Sequence, residues 1–102
     1  MEMTEEMKIR SESGFNELCE LLAKTKDEAF LKDFLTCLLT KAEMYDLANR
    51  WLLVKEIDKG TTQREIAQEF NMSLCKITRG SRELKKENSA FRRMLEFQKK
   101  SR

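Results

Sequence analysis

Thr61-Thr62-Gln63-Arg64-Glu65-Ile66-Ala67-Gln68-Glu69-Phe70-Asn71-Met72-Ser73-Leu74-Cys75-Lys76-Ile77-Thr78-Arg79-Gly80-Ser81-Arg82-Glu83-Leu84-Lys85-Lys86 is the stretch whose reading decides the fold. Thr62 and Glu65 have the spacing of a capping box, in which each side chain bonds the other residue's backbone amide. The helix it opens runs to about Phe70 and places Ile66, Ala67 and Phe70 on one face. Asn71 tolerates the left-handed backbone that ends a helix. Ser73 is placed to cap a second helix from Leu74. Helix, tight turn and helix over about 62–86 is the geometry of a helix-turn-helix. Ala67 is small where the two helices approach, and Ile66, Met72 and Ile77 form the wedge between them. The exposed face of the second helix carries Lys76, Arg79 and Arg82, cations suited to phosphates and guanine edges. An ordinary helical hairpin with a solvated basic face fits the same pattern and is the plainer alternative.

Charge is distributed unevenly around this stretch. The net charge is only +2, but residues 1–75 hold 10 basic and 15 acidic side chains, a balance of −5. Residues 76–102 hold 10 basic and 3 acidic, a balance of +7. The positive end begins on the second helix of the motif, the footprint expected for a polyanion partner. A solvated basic tail has the same composition.

Outside the motif, composition bounds the class. A chain of 102 residues makes one domain. It has no proline, glycine only at 14, 60 and 80, and is rich in Leu, Lys, Glu and Met, so an all-α fold is expected. No apolar run approaches the roughly 18–20 residues of a membrane span. The charged first dozen residues lack a signal peptide's apolar core, and the expected location is cytoplasmic. Cys19, Cys37 and Cys75 are odd in number, widely separated and unaccompanied by histidine, which argues against zinc and against a disulfide framework. Cys19 and Cys37, set among leucines, read as small buried hydrophobes. Without histidine, a phosphate-binding glycine loop or a nucleophile beside a base, no enzyme is expected.

In chain order, residues 1–12 read as a polar arm, flexible or only loosely helical, and 13–102 as the helical domain. Phe15, Leu18, Cys19 and Leu22 form the stripe of a first helix from about Ser13. Thr25 with Glu28 repeats the capping-box spacing before Phe30, Leu31, Phe34, Leu35, Leu38 and Leu39. Thr40 with Glu43 does so before Met44, Leu47, Ala48, Trp51, Leu52, Val54 and Ile57, and Gly60 ends that helix. Asn88 or Ser89 caps a last helix holding Phe91, Met94, Leu95 and Phe97. Six helices result. Trp51-Leu52-Leu53-Val54 cannot all enter one small core, so the surplus apolar surface calls for a partner subunit. A tightly wrapped monomer is the alternative. A two-fold dimer would present two reading helices about one DNA turn, roughly 34 Å, apart on a palindromic site.

Gln63-Arg64-Glu65 followed by Ile77-Thr78-Arg79-Gly80-Ser81 and Leu84-Lys85 closely resembles the reading head of bacterial Trp repressors, themselves a reference case of the helix-turn-helix geometry. The similarity extends over roughly 13–100, and Leu39-Thr40 and Arg50 fall where that family's pattern places other ligand-binding residues. It implies an intertwined homodimer that binds operator DNA when loaded with L-tryptophan, repressing genes of tryptophan biosynthesis or uptake. The family's indole lies between two arginines, one from each subunit, matched here by Arg50 and Arg79. A planar guanidinium can stack on an aromatic face while donating to a carboxylate. By the same resemblance Arg79 pairs with the ligand carboxylate and Gly80 leaves room beside the ring. Thr40 and the backbone carbonyls of Cys37 and Leu39 hold the ammonium from the other subunit, at the negative end of a helix dipole. Arg50 on its own residues reads as a surface ion pair with Asp46 at (i, i+4).

For DNA, the resemblance assigns Arg64 a guanine contact, a bidentate type that discriminates by about 1–3 kcal/mol. Gln63, Thr78, Ser81 and Lys85 match phosphate-contacting positions, and Leu74, Cys75 and Lys76 match the groove-facing end of the reading helix. Three positions depart from the pattern: Lys76 replaces a small polar residue, Ala67 a basic DNA-facing residue, and Glu83 a small residue near the ligand's edge. A regulator with the same head but another ligand, or none, is the nearest alternative. A helical protein-interaction module with a basic end is the more distant one.

Overall fold

The computed structural model describes residues 2–101, which form six helices and, among the described residues, no strand. The helices are α1 (Glu5–Lys24), α2 (Glu28–Leu38), α3 (Lys41–Lys59), α4 (Gln63–Phe70), α5 (Leu74–Lys85) and α6 (Ala90–Lys100). They divide into two compact units, one ending at Thr40 and the other beginning at Lys41.

In the first unit, α1 starts well before the expected Ser13. The Thr4 hydroxyl accepts from the Met7 amide at 3.1 Å, and Glu5 and Glu6 occupy the first turn, where the helix dipole favours negative charge. These local signals extend the helix through most of the segment read as an arm; Met1 and Arg102 lie outside the described residues. Thr25 does not open α2. It closes α1, its hydroxyl donating to the Leu21 carbonyl at 2.9 Å, while Asp27 caps α2 by accepting from the Phe30 amide at 3.2 Å. Neither α1 nor α2 contains a buried residue, and Phe15, Leu21, Phe30 and Leu38 are exposed. Cys19 and Cys37, read as buried hydrophobes, are exposed thiols, since neither helix buries a residue within this unit.

In the second unit, two adjacent residues of α3 serve two different clusters. Leu53 packs with Ile66 of α4 and Ile77 of α5, flanked by Ile57, Ala67, Phe70 and Met72. Val54 packs with Leu84 of α5 and Leu95 of α6, flanked by Trp51 and Phe91. Leu52 stays exposed, so the four-residue apolar run splits as its helical spacing requires. Each fully buried aliphatic contributes about 1.5–3 kcal/mol. Gly60, at φ 92°, ends α3: its amide donates to the Ile57 carbonyl at 3.0 Å and the Thr61 amide to that of Glu56 at 3.1 Å. That pair of bonds is a Schellman motif, which needs the left-handed backbone that glycine adopts without penalty. Ser89 caps α6 by accepting from the Arg92 amide at 3.2 Å, and Asn88 takes the left-handed turn before it. Asp58 of α3 then ties α6 down through an ion pair with Arg92 and a longer one to Lys99 at 3.6 Å.

Candidate nucleic-acid interface and adjoining pocket

The reading head forms as its local chemistry dictates. The Glu65 amide donates to Thr62 Oγ1 at 3.2 Å, and the Thr62 amide donates to Glu65 Oε2 at 3.3 Å, completing the capping box. Asn71 takes φ 49°, ψ 46°, and the Met72 amide returns to the Ala67 carbonyl at 3.2 Å. Ser73 caps α5, accepting from the Lys76 amide at 3.4 Å. Beneath the turn, Ile66 and Ile77 are both 0% exposed, and Met72 packs beside them. Two wholly buried β-branched side chains on facing helices leave α4 and α5 little freedom to change their crossing.

The head presents most of the expected DNA residues to solvent. Gln63 and Arg64 lie exposed in the first turn of α4. On α5, Leu74, Cys75, Lys76, Arg79 and Lys85 are exposed and Thr78 is half-buried, whereas Gly80 and Ser81 are buried. An open hollow of about 340 Å³ runs along this outer face, lined by Leu74, Cys75, Thr78, Arg79 and Arg82. Ala67 is half-buried and packs against the cluster of Leu53, Ile66 and Ile77.

On the other side of α5, against α3, lies a cavity of about 420 Å³. Leu53, Val54, Gly80 and Phe91 give it an apolar lining, and Arg50, Lys76, Arg79 and Glu83 give it charge. Its size and its few convergent polar groups suit a small-molecule ligand. Arg50 and Arg79 both border this cavity because α3 and α5 pack directly on each other. Gly80 permits that packing. A Cβ there would sit 3.2 Å from Leu53 Cδ2 and 3.5 Å from Ile57 Cδ1. The Glu83 carboxyl is held below its usual range by the Lys86 ammonium, which donates to it at 2.9 Å, with Arg79's charge adding to the effect against partial burial. Glu83 is therefore a carboxylate in the pocket wall. Arg50 also makes the expected ion pair with Asp46, at 3.6 Å, and the same carboxylate reaches Lys76 of α5 at 3.6 Å. These groups are more than half exposed or nearly so, which keeps each pair weak.

The family model for the Trp repressor protein matches residues 13–99. This chain belongs to the Trp repressor family. Curated relatives agree. A Trp operon repressor homolog of Chlamydia trachomatis serovar L2 is 36% identical over 91 residues, covering 88% of this chain and 97% of its own. Homologs from Chlamydia caviae and Xylella fastidiosa are each 37% identical, covering 83% and 76% of this chain respectively and 85% of their own lengths. No solved structure matches the chain significantly. Membership makes the protein a helical, helix-turn-helix transcription regulator of the Trp repressor type and not an enzyme.

Within the Trp repressor frame, the second unit brings Arg50, Arg79 and Gly80 to one cavity, whereas Cys37, Leu39 and Thr40 belong to the first unit. Cys37 is exposed near the end of α2 and Leu39, its C-cap, is half-buried. The pocket residues that sequence reading did not assign are Leu53, Val54 and Phe91. Phe91 read only as core, and nothing in its spacing on α6 announces that it reaches a wall formed by α3 and α5. Among the described residues, no helix is long and apolar enough to cross a membrane and no cluster of ligating side chains suits a metal ion.

Proposed function

We propose that this Trp repressor family member is an L-tryptophan-dependent repressor that binds palindromic operator DNA as a homodimer. The observation carrying the proposal is that Arg79 borders both cavities, the outer hollow along α5 and the inner pocket against α3. A ligand seated on the inner side touches the helix that reads DNA on the outer side. Arg50 and Arg79 would hold the ring and carboxylate, and Gly80 keeps the wall thin. The carbonyls of Cys37 and Leu39 and the hydroxyl of Thr40, from the second subunit, would take the ammonium. Arg64 would read guanine, Gln63, Thr78, Ser81 and Lys85 would hold phosphates, and Leu74, Cys75 and Lys76 would face the groove. Tryptophan acts as co-repressor only by its higher affinity for the DNA-competent arrangement of the heads. The exposed apolar residues of α1 and α2, with Tyr45 and Leu47 of α3, support the homodimer.

Calorimetric titration of L-tryptophan, with L-phenylalanine as control, tests the proposal. Saturable binding of one tryptophan per chain, absent for phenylalanine, is expected; no binding at two temperatures would remove the co-repressor. A second reading, the same head answering another small ligand or none, is favoured by Lys76 and Glu83, which add charge to the pocket wall. Operator binding that ignores tryptophan would select it.

A further inference from the structure

Asp46 stands outside the roles assigned so far, yet it is the carboxylate through which α3 and α5 are joined at the pocket. One of its oxygens lies 3.6 Å from Arg50 of α3 and the other 3.6 Å from Lys76 of α5, and both cations line the cavity. Glu83, the carboxylate in the wall itself, is engaged by Lys86 at 2.9 Å. Two of the three pocket cations, Arg50 and Lys76, are thus already paired with a carboxylate of the chain, and Arg79 is the pocket cation without a direct ion pair among those described.

We propose that Asp46 is an internal competitor for the carboxylate of the pocket's ligand and so sets its affinity. The proposal rests on the ligand-binding reading above. In the free protein Asp46 offsets part of the positive charge of Arg50 and Lys76; a ligand carboxylate entering beside Arg79 meets its repulsion and competes with it for these two cations. No bond is made or broken, and one carboxylate substitutes for another. Because the pairs are solvent-exposed, each is weak, and the competition is a matter of modest factors that fade as salt rises. Lys76 gives this chain its link from Asp46 to the reading helix, at a position where the family pattern has a small polar residue.

The test is D46N, which removes the charge and keeps the shape, with D46E as the variant that keeps the charge. L-Tryptophan and indole-3-propionate, an anion without the ammonium, are titrated into each full-length protein at low and high salt. D46N is expected to bind both about three- to tenfold tighter than the parent at low salt, with the gain shrinking at high salt, and D46E to stay near the parent. Tryptophan binding with equal affinity to parent and D46N overturns the competitor role and leaves the co-repressor reading standing. Binding of either probe to D46N alone supports the role even though the parent's ligand is then not tryptophan. Failure of both probes on both proteins overturns the two readings together. Since Asp46 is exposed, a matching melting temperature for the variants establishes that folding is not the cause.

Discussion

Gly80→Ala and Gly14→Ala place the same methyl group on two helices with opposite surroundings. In a helix interior, alanine is favoured over glycine by about 0.8–1.0 kcal/mol. At Gly14 of α1 nothing lies within 4 Å of the new Cβ, so the full gain is expected. At Gly80 the methyl would meet Leu53 Cδ2 at 3.2 Å and Leu53 Cγ at 3.6 Å. Leu53 is 2% exposed and backed by Ile66 and Ile77 at 0%, so it has little space to withdraw. Overpacking of this kind costs about 1–3 kcal/mol, which exceeds the propensity gain. Gly80→Ala should therefore lose about 1 kcal/mol net, and the two variants should differ by about 2 kcal/mol. Urea unfolding at one fixed protein concentration reads this directly, a loss of 1 kcal/mol moving the midpoint down by about 0.5 M for a slope near 2 kcal/mol/M. If Gly80→Ala stabilised the protein as much as Gly14→Ala, the reasoning would fail: Leu53 would be free to yield, and close approach of α3 and α5 would not explain the glycine.

Thr62→Ala removes one half of the capping box on a helix of only eight residues, and should cost about 1 kcal/mol in thermal or chemical unfolding; an unchanged melting curve would show that α4 is held by packing alone. Asp58 has its carboxyl lowered chiefly by the hydrogen bond from Arg92, with Lys99 and Arg92 adding charge against partial burial. A depressed carboxylate contributes stability that is present above its ordinary value of about 3.9 and lost as pH falls through the lower folded value. Unfolding followed below pH 4 should thus be shallower in pH for Asp58→Asn than for the parent, and identical profiles would refute the ion pair's role in holding α6. Arg64→Ala should leave tryptophan binding intact while relaxing sequence choice, read by competition between operator and random duplex; equal losses on both would move Arg64 to a phosphate role.

What the sequence determined by itself is the part of the protein fixed by short-range chemistry. The box at Thr62 and Glu65, the left-handed Asn71, the caps at Ser73 and Ser89 and the stop at Gly60 all form where the residues place them, because each is completed within a few residues of chain. Family membership was legible for the same reason, since its distinguishing block is contiguous. Local reading failed where two local solutions compete, as between Thr25 and Asp27, and where a cap at Thr4 sufficed to recruit a polar segment into α1. It also failed where a leucine-rich setting was taken to mean burial: Cys19 and Cys37 are exposed on helices that bury no residue. Only the tertiary structure decided that Leu53 and Val54 part to serve two clusters and that Phe91 of α6 joins Arg50 and Arg79 around one cavity. Those facts depend on how α3, α5 and α6 pack. Packing matches shapes from distant parts of the chain, which no periodicity within one helix can express.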